Sequence, residues 1–246
     1  MSALEDAATN FALELNATLS AVFGGSDPLL EMLYVEDRQR AIIQPIGGSD
    51  GIALKVNGEH VLDLEISYEL EMGKRSGFLK VISSRFLIRA EGESAPVASF
   101  DFDEGYSENL PAAHINLHTE SHAVQRALEL AGNRGRPARR RKKGHGVGGH
   151  GKAGDLHYPV GGVRFRPCLE DVLQMLLIEL DLDRVDTNWR SALKAGRKTW
   201  RDRQLASAIM DNPAVAVAVL ERLNYTVKWD GEGSPPDANL THLQRI

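Results

Sequence analysis

Two aspartates and two histidines stand close together in DFDEGYSENLPAAHINLH, Asp101 to His118. Asp101 and Asp103 take alternate positions against Phe100 and Phe102 at the end of a β-rich run. His114, Asn116 and His118 alternate with Ile115 and Leu117, which is the period of a strand and not of a helix. Alternate residues of a strand share a face, so pairing of the two segments brings carboxylates and imidazoles to one rim of a sheet. Such a set either holds a divalent metal through His114 and His118 or supplies acid and base for phosphodiester cleavage without metal, because imidazole changes protonation near neutral pH. The plain alternative is a polar, solvated sheet face. Asp101, Asp103, His114 and His118 are therefore the candidate catalytic residues.

A second kind of chemistry is suggested by charge. The segment RGRPARRRKKGHGVGGHGK, Arg134 to Lys152, holds eight Lys or Arg and no acid. Its Gly, Pro, Arg and Lys content cannot bury enough apolar surface to offset the entropy of ordering, so a flexible basic loop is expected over 133–154. Arg139, Arg140, Arg141, Lys142 and Lys143 offer consecutive phosphate contacts, with no aromatic among them to stack on bases. Binding through them would be salt-sensitive and indifferent to sequence. Farther on, Trp189, Leu193, Gly196 and Trp200 line one side of a helical wheel, while Arg190, Lys194, Arg197, Lys198 and Arg201 spread over the rest. That helix lines a phosphate channel, lies on an anionic membrane, or is a core helix with a basic outer face. Arg190, Lys194, Arg197 and Arg201 join the five loop cations as candidate nucleic-acid contacts.

The total charge of −5 conceals these islands: 130–154 carries +8 and 188–205 carries +5, so the remainder carries −18. Local potential, not net charge, decides whether a polyanion is attracted. Six of the eight histidines fall between His114 and His157, which also allows a His-based metal-binding protein. His145 and His150 are flanked by glycine in GHGVGGHG and are poorly preorganised as ligands. The single cysteine, Cys168, excludes an internal disulfide framework and reads as structural; Glu170 and Asp171 read as helix N-terminal acids. The glycine-rich segment lacks the GK[ST] of a phosphate-binding loop, and there is no G-x-S-x-G. Acids near the N-terminus and the lack of an apolar run of roughly 20 residues point to a cytoplasmic protein with no membrane span.

The elements that must position these residues follow from periodicity. Leu4, Ala8, Phe11, Leu15, Leu19 and Val22 recur at helical spacing up to Gly24, and Asp27-Pro28 suggests a second short helix through Leu30 and Tyr34. From Arg40, the runs AIIQPI, IALKV, HVLDLEISYEL, FLKVISSRFLIRA and PVASFDF read as strands, with Asn57-Gly58 as a hairpin turn between two of them. Helices follow: one capped near Thr119 or Ser121, the Leu-rich stripe from Leu169, the Trp helix, and AVAVAVLERL, Ala- and Val-rich enough for a buried helix, with a strand as its alternative. The expected fold is α+β, an antiparallel sheet flanked by N-terminal and C-terminal helices. A single domain spans 1–229, with N-terminal helices over 1–37, the sheet over 38–118 and a mainly helical part over 119–229. A loose tail fills 230–246.

An acidic strand, Pro-x-x-His-x-x-x-His, then HYPVGGVRFRP and LEDVLQMLLIELDLD: this order resembles a family of uncharacterised actinobacterial proteins. Over about residues 60 to 120, Arg85, Asp101, Asp103, Pro111 and His114 are similar in order to the Arg, Asp, Pro-His pattern of TumE-type toxins of two-gene toxin–antitoxin modules. This chain has a spaced Pro-Ala-Ala-His in place of a compact Pro-His, and long helical extensions. The resemblance implies a toxin-like or defence-related nuclease. The expectation is a nucleic-acid-associated protein acting on RNA or DNA. Its alternatives are a non-catalytic interaction protein whose basic loop takes an acidic partner, and the metal-binding protein above.

Overall fold

The structure, a computed structural model, describes residues 2–48, 51–73, 77–105, 112–117, 122–131, 166–185 and 188–243. Its layout is set by strand β4, Glu59–Met72, where Leu62, Leu64, Ile66, Tyr68 and Leu70 are buried and the residues between them form the opposite, polar face. Helices cover the apolar face. Strand β4 is long enough to pair on one edge with both β2 (Arg40–Pro45) and β3 (Ile52–Val56), and on the other with β5 (Leu79–Ala90). β1 (Leu30–Val35), β6 (Pro96–Asp103) and β7 (Ala113–Leu117) complete a seven-stranded antiparallel sheet of order β1-β2-β4-β5-β6-β7, with β3 beside β4. The expected α+β architecture is the observed one.

Local chemistry accounts for most boundaries. Asn57 and Gly58 both have positive φ, as a two-residue turn between β3 and β4 requires. Helix α1, Ala3–Phe23, begins in a capping box in which the Ser2 hydroxyl accepts from the Glu5 N–H and the Glu5 carboxylate accepts from the Ser2 N–H. The second N-terminal helix expected after Asp27-Pro28 is instead strand β1. Two forces override the local helix-start signal. Residues 30–35 pair in register with β2, and Asn16 of α1 holds the strand's start, accepting from the Leu29 and Leu30 N–H groups and donating to the Leu30 carbonyl.

Above the apolar face lie α1, α2 (His122–Leu130), α3 (Leu169–Glu179) and α4 (Trp189–Asp211). The Phe11 ring of α1 meets Tyr68 edge-on at 5.1 Å, and Tyr68 meets Phe86 of β5 at 5.6 Å. Helix α3 is buried along almost its whole length; Leu169, Val172, Leu173, Leu176 and Leu177 are all within the core. Trp189, Leu193 and Trp200 anchor α4 as the wheel predicts. Asn212 caps α5, Pro213–Arg222, its side chain accepting from the Val215 N–H, and Pro213 occupies the first turn. The burial expected for α5 is not found: none of its residues is buried. The tail is tied back, because Asn239, just before the short helix α6 (Leu240–Leu243), and His242 within it hydrogen-bond to Asp211. Among the described residues no helix is long and apolar enough to cross a membrane.

Candidate functional site

Sheet register, not sequence proximity, assembles the site. Arg85 of β5 lies opposite Asp101 of β6, and Asp101 lies opposite His114 of β7, so three chemically distinct side chains form one row across three adjacent strands. Ser99 and Asn116, also directly opposed, make the next row on the same face. All five sit on the side of the sheet away from Phe100, which faces the core.

Asp101 is the hub. Its side chain is only 4% exposed, whereas Arg85 beside it is 53% exposed. One carboxylate oxygen accepts from Arg85 Nε at 2.7 Å; the other accepts from the Ser99 hydroxyl at 2.5 Å and from Asn116 Nδ2 at 2.9 Å. Burial alone would raise the Asp101 pKa, but the Ser99 and Arg85 hydrogen bonds, the Arg85 charge and the Asn116 amide together hold it below the usual carboxylate range. It is therefore a fixed negative charge at neutral pH. His114 Nε2 stands 4.0 Å from that charge, with its side chain 20% exposed. The buried carboxylate thus sets a negative charge beside the imidazole, while the half-exposed guanidinium adds positive charge at the same rim.

Asp103 plays another part. Its Oδ1 accepts from the Gly105 N–H at 2.6 Å, closing the turn after β6. His118 and the five loop cations Arg139, Arg140, Arg141, Lys142 and Lys143 lie outside the described residues. Among the described residues no three His, Cys, Asp or Glu side chains come together in a set that would hold a metal ion.

The basic helix divides. Arg190 and Lys194 are exposed, Arg190 with its guanidinium 4.2 Å from the Trp189 ring centre. Arg197, expected on the outer surface, turns inward instead, donating from Nε to Asp171 at 2.7 Å and from a terminal nitrogen to Gln174 and the Glu170 carbonyl. Arg201 stands 3.8 Å from the same Asp171. The α3 acid draws Arg197 in, while Arg201 beside it keeps a side chain that is 41% exposed, and a helical wheel of α4 cannot show the difference. Helix α4 also lies over the apolar face of the sheet, since Trp200 lines a cleft with Phe11 and Tyr68. The Arg85–Asp101–His114 row occupies the opposite face.

That cleft, about 390 Å³ between α1 and α4, has the buried Glu170 and Tyr68 among its walls. Burial raises the Glu170 pKa, and burial with the nearby Glu170 charge raises that of Tyr68 well above its ordinary value. Gly196 makes room for the carboxyl: a Cβ there would stand 2.3 Å from Glu170 Oε1. Alongside, Arg166 is packed 3.7 Å above the Phe102 ring, and desolvation lowers its pKa to about 10. Burial likewise pushes the Cys168 thiol up, so it is an inert side chain, as its sequence context suggested.

Arg85 entered the sequence reading only through an order of residues, and Ser99 not at all. Their parity was available, since Ser99 and Asp101 are two apart on one strand, but their partners depend on register. The cleft had no sequence signal, because α1, α3 and α4 contribute to it from distant parts of the chain. Comparison with protein-family models, with curated proteins and with solved structures gives no match to this chain.

Proposed function

We propose that the chain is a nucleic-acid-associated protein whose polar sheet face carries a phosphodiester-directed nuclease site. The observation that carries this reading is the Arg85–Asp101–His114 row, a half-exposed cation and a reachable imidazole held on either side of a buried carboxylate. Arg85 takes a phosphate oxygen, and its charge offsets the negative charge that grows there as the attacking oxygen adds. His114 exchanges the proton of the attacking or departing hydroxyl. Asp101, with both oxygens engaged, positions the imidazole and is not itself the acid or base. Arg139, Arg140, Arg141, Lys142 and Lys143 supply sequence-independent phosphate contacts; the exposed Arg190 and Lys194 belong to the helix over the other face of the sheet and do not share the row's side.

The test is cleavage of labelled single-stranded RNA and DNA by the purified protein, with and without Mg, Mn or Zn. Wild type is expected to cut at least one substrate, His114→Ala to lose cleavage while its circular dichroism is unchanged, and Arg85→Ala to raise KM more than it lowers kcat. A wild-type protein inert on both substrates under all these conditions overturns the proposal. A second reading rests on the saturation of Asp101 by three donors, which is what a purely structural network would show. In that case the protein binds RNA or an acidic partner without cutting it, and His114→Ala leaves binding intact.

A further inference from the structure

The cleft between α1 and α4 holds a carboxyl that the proposed chemistry does not use. Glu170 is only 6% exposed, yet it stands in the cleft wall with no ion pair among the described residues. The cations near it are engaged by other groups. Arg197 donates to Asp171, Gln174 and the Glu170 backbone carbonyl, Arg201 lies 3.8 Å from Asp171, and Arg203 makes a bidentate pair with Glu14 at 2.7 Å for each nitrogen. A carboxyl buried without a counter-charge costs free energy, and Gly196 of α4 forgoes a side chain to accommodate it. The remaining walls are mostly apolar. Phe11, Tyr68 and Trp200 bring aromatic rings to the cleft, with Leu15, Ala192 and Ala195 beside them. One of these rings already attracts a cation, since the Arg203 guanidinium stands 5.8 Å from the centre of Phe11.

We propose that this cleft is a binding site for a small organic cation, an alkylammonium whose head group stands beside Glu170 among the Phe11, Tyr68 and Trp200 rings. A carboxylate recognises such a head group by its charge and the aromatic rings by their quadrupole. The volume of about 390 Å³ and the few polar groups set among apolar walls are those of a small-molecule pocket. Charge decides between occupants. Arg203 and Glu14 cancel one another across the cleft, which leaves Glu170 as the unbalanced acid of the walls and makes an anion the poorer ligand. The carboxyl faces the Cys168 thiol, Asp171 of α3, Arg197 of α4 and Tyr68 of β4, and burial dominates over them in raising its pKa. An arriving cation supplies the missing counter-charge, so Glu170 ionises and gives up its proton as the ligand binds.

Isothermal titration calorimetry of the full-length protein with tetramethylammonium chloride, and with tert-butanol as an uncharged molecule of similar shape, tests this. The cation is expected to bind one site with a dissociation constant of about 1 mM or tighter, and tert-butanol at least about tenfold more weakly. Glu170→Gln, which keeps the shape of the side chain, is expected to weaken cation binding roughly tenfold, and Ala195→Phe, which fills the cleft from α4, to abolish it with circular dichroism unchanged. At neutral pH the heat of cation binding should depend on the ionisation enthalpy of the buffer in wild type, reporting the released proton, and not in Glu170→Gln. Wild type that takes up no cation, or a cation affinity indifferent to Glu170→Gln, overturns the proposal. Equal binding of tert-butanol and the cation overturns it in favour of a neutral ligand.

Discussion

Replacing Asp101 by Asn keeps the volume of the side chain and removes its charge. The carboxylate joins β6 to β5 through Arg85 and to β7 through Asn116, and takes a third bond from Ser99 within its own strand. Hydrogen bonds to a charged group are worth about 1.5–3 kcal/mol each when buried, and the Arg85 bond is discounted to about 0.5–1 kcal/mol because its guanidinium is half exposed. The amide recovers part of the Ser99 and Asn116 bonds, so Asp101→Asn is expected to cost about 2–3 kcal/mol at pH 7, and Asp101→Ala about 1 kcal/mol more. The pH dependence gives an independent check. The Asp101 pKa is held below its unfolded value near 3.9, so its contribution is complete above that pH and is lost as the pH falls through the lowered folded value. Urea titrations followed by circular dichroism should therefore show a gap between wild type and Asp101→Asn that is full at pH 7 and closes below about pH 4. A gap under about 0.5 kcal/mol at pH 7, or one of equal size at pH 7 and pH 3, would refute the reasoning.

Other consequences are equally direct. Asn16→Ala removes three hydrogen bonds between α1 and the start of β1, and should lower stability by about 2–3 kcal/mol in the same titration. The Glu170 pKa is raised, so the folded state holds a proton that the unfolded chain releases above about pH 4.3; wild type loses that stabilisation as pH rises towards the folded value. Glu170→Gln should consequently be more stabilising, or less destabilising, at pH 7 than at pH 4 in thermal melts. Gly196→Ala would normally add about 1 kcal/mol to a helix, but here it drives a methyl against the Glu170 carboxyl and should destabilise; a Glu170→Ala background should abolish that penalty. Neutralising Arg139, Arg140, Arg141, Lys142 and Lys143 should reduce RNA affinity and flatten its dependence on salt in fluorescence anisotropy.

The sheet was legible because its signals are local. Period-two alternation in Asp63 to Tyr68 marks two faces, and Asn57-Gly58 marks a turn, without reference to any distant residue. The same locality misled at Asp27-Pro28, where a good helix start precedes residues that gain more by pairing with β2. Parity put Asp101 with Asp103 and His114 with His118, each pair on one face of its own strand, but only register shows that Asp101 and His114 are direct neighbours and that Arg85 completes the row. Nothing in DFD distinguishes the buried Asp101 from Asp103, which the turn at Gly105 consumes. Composition marks α5 as apolar but does not show that the helix stays unburied, and the inward turn of Arg197 depends on Asp171, 26 residues away.

The functional claim rests on a phosphodiester reaching His114 beside Arg85. Its most direct measurement is the nitrogen-correlated NMR spectrum of the histidine rings during titration with a short single-stranded oligoribonucleotide that resists cleavage. The His114 ring signals are expected to shift saturably in wild type and to stay still in Arg85→Ala. Unmoved His114 signals in wild type, while the oligonucleotide binds elsewhere on the protein, would contradict the account.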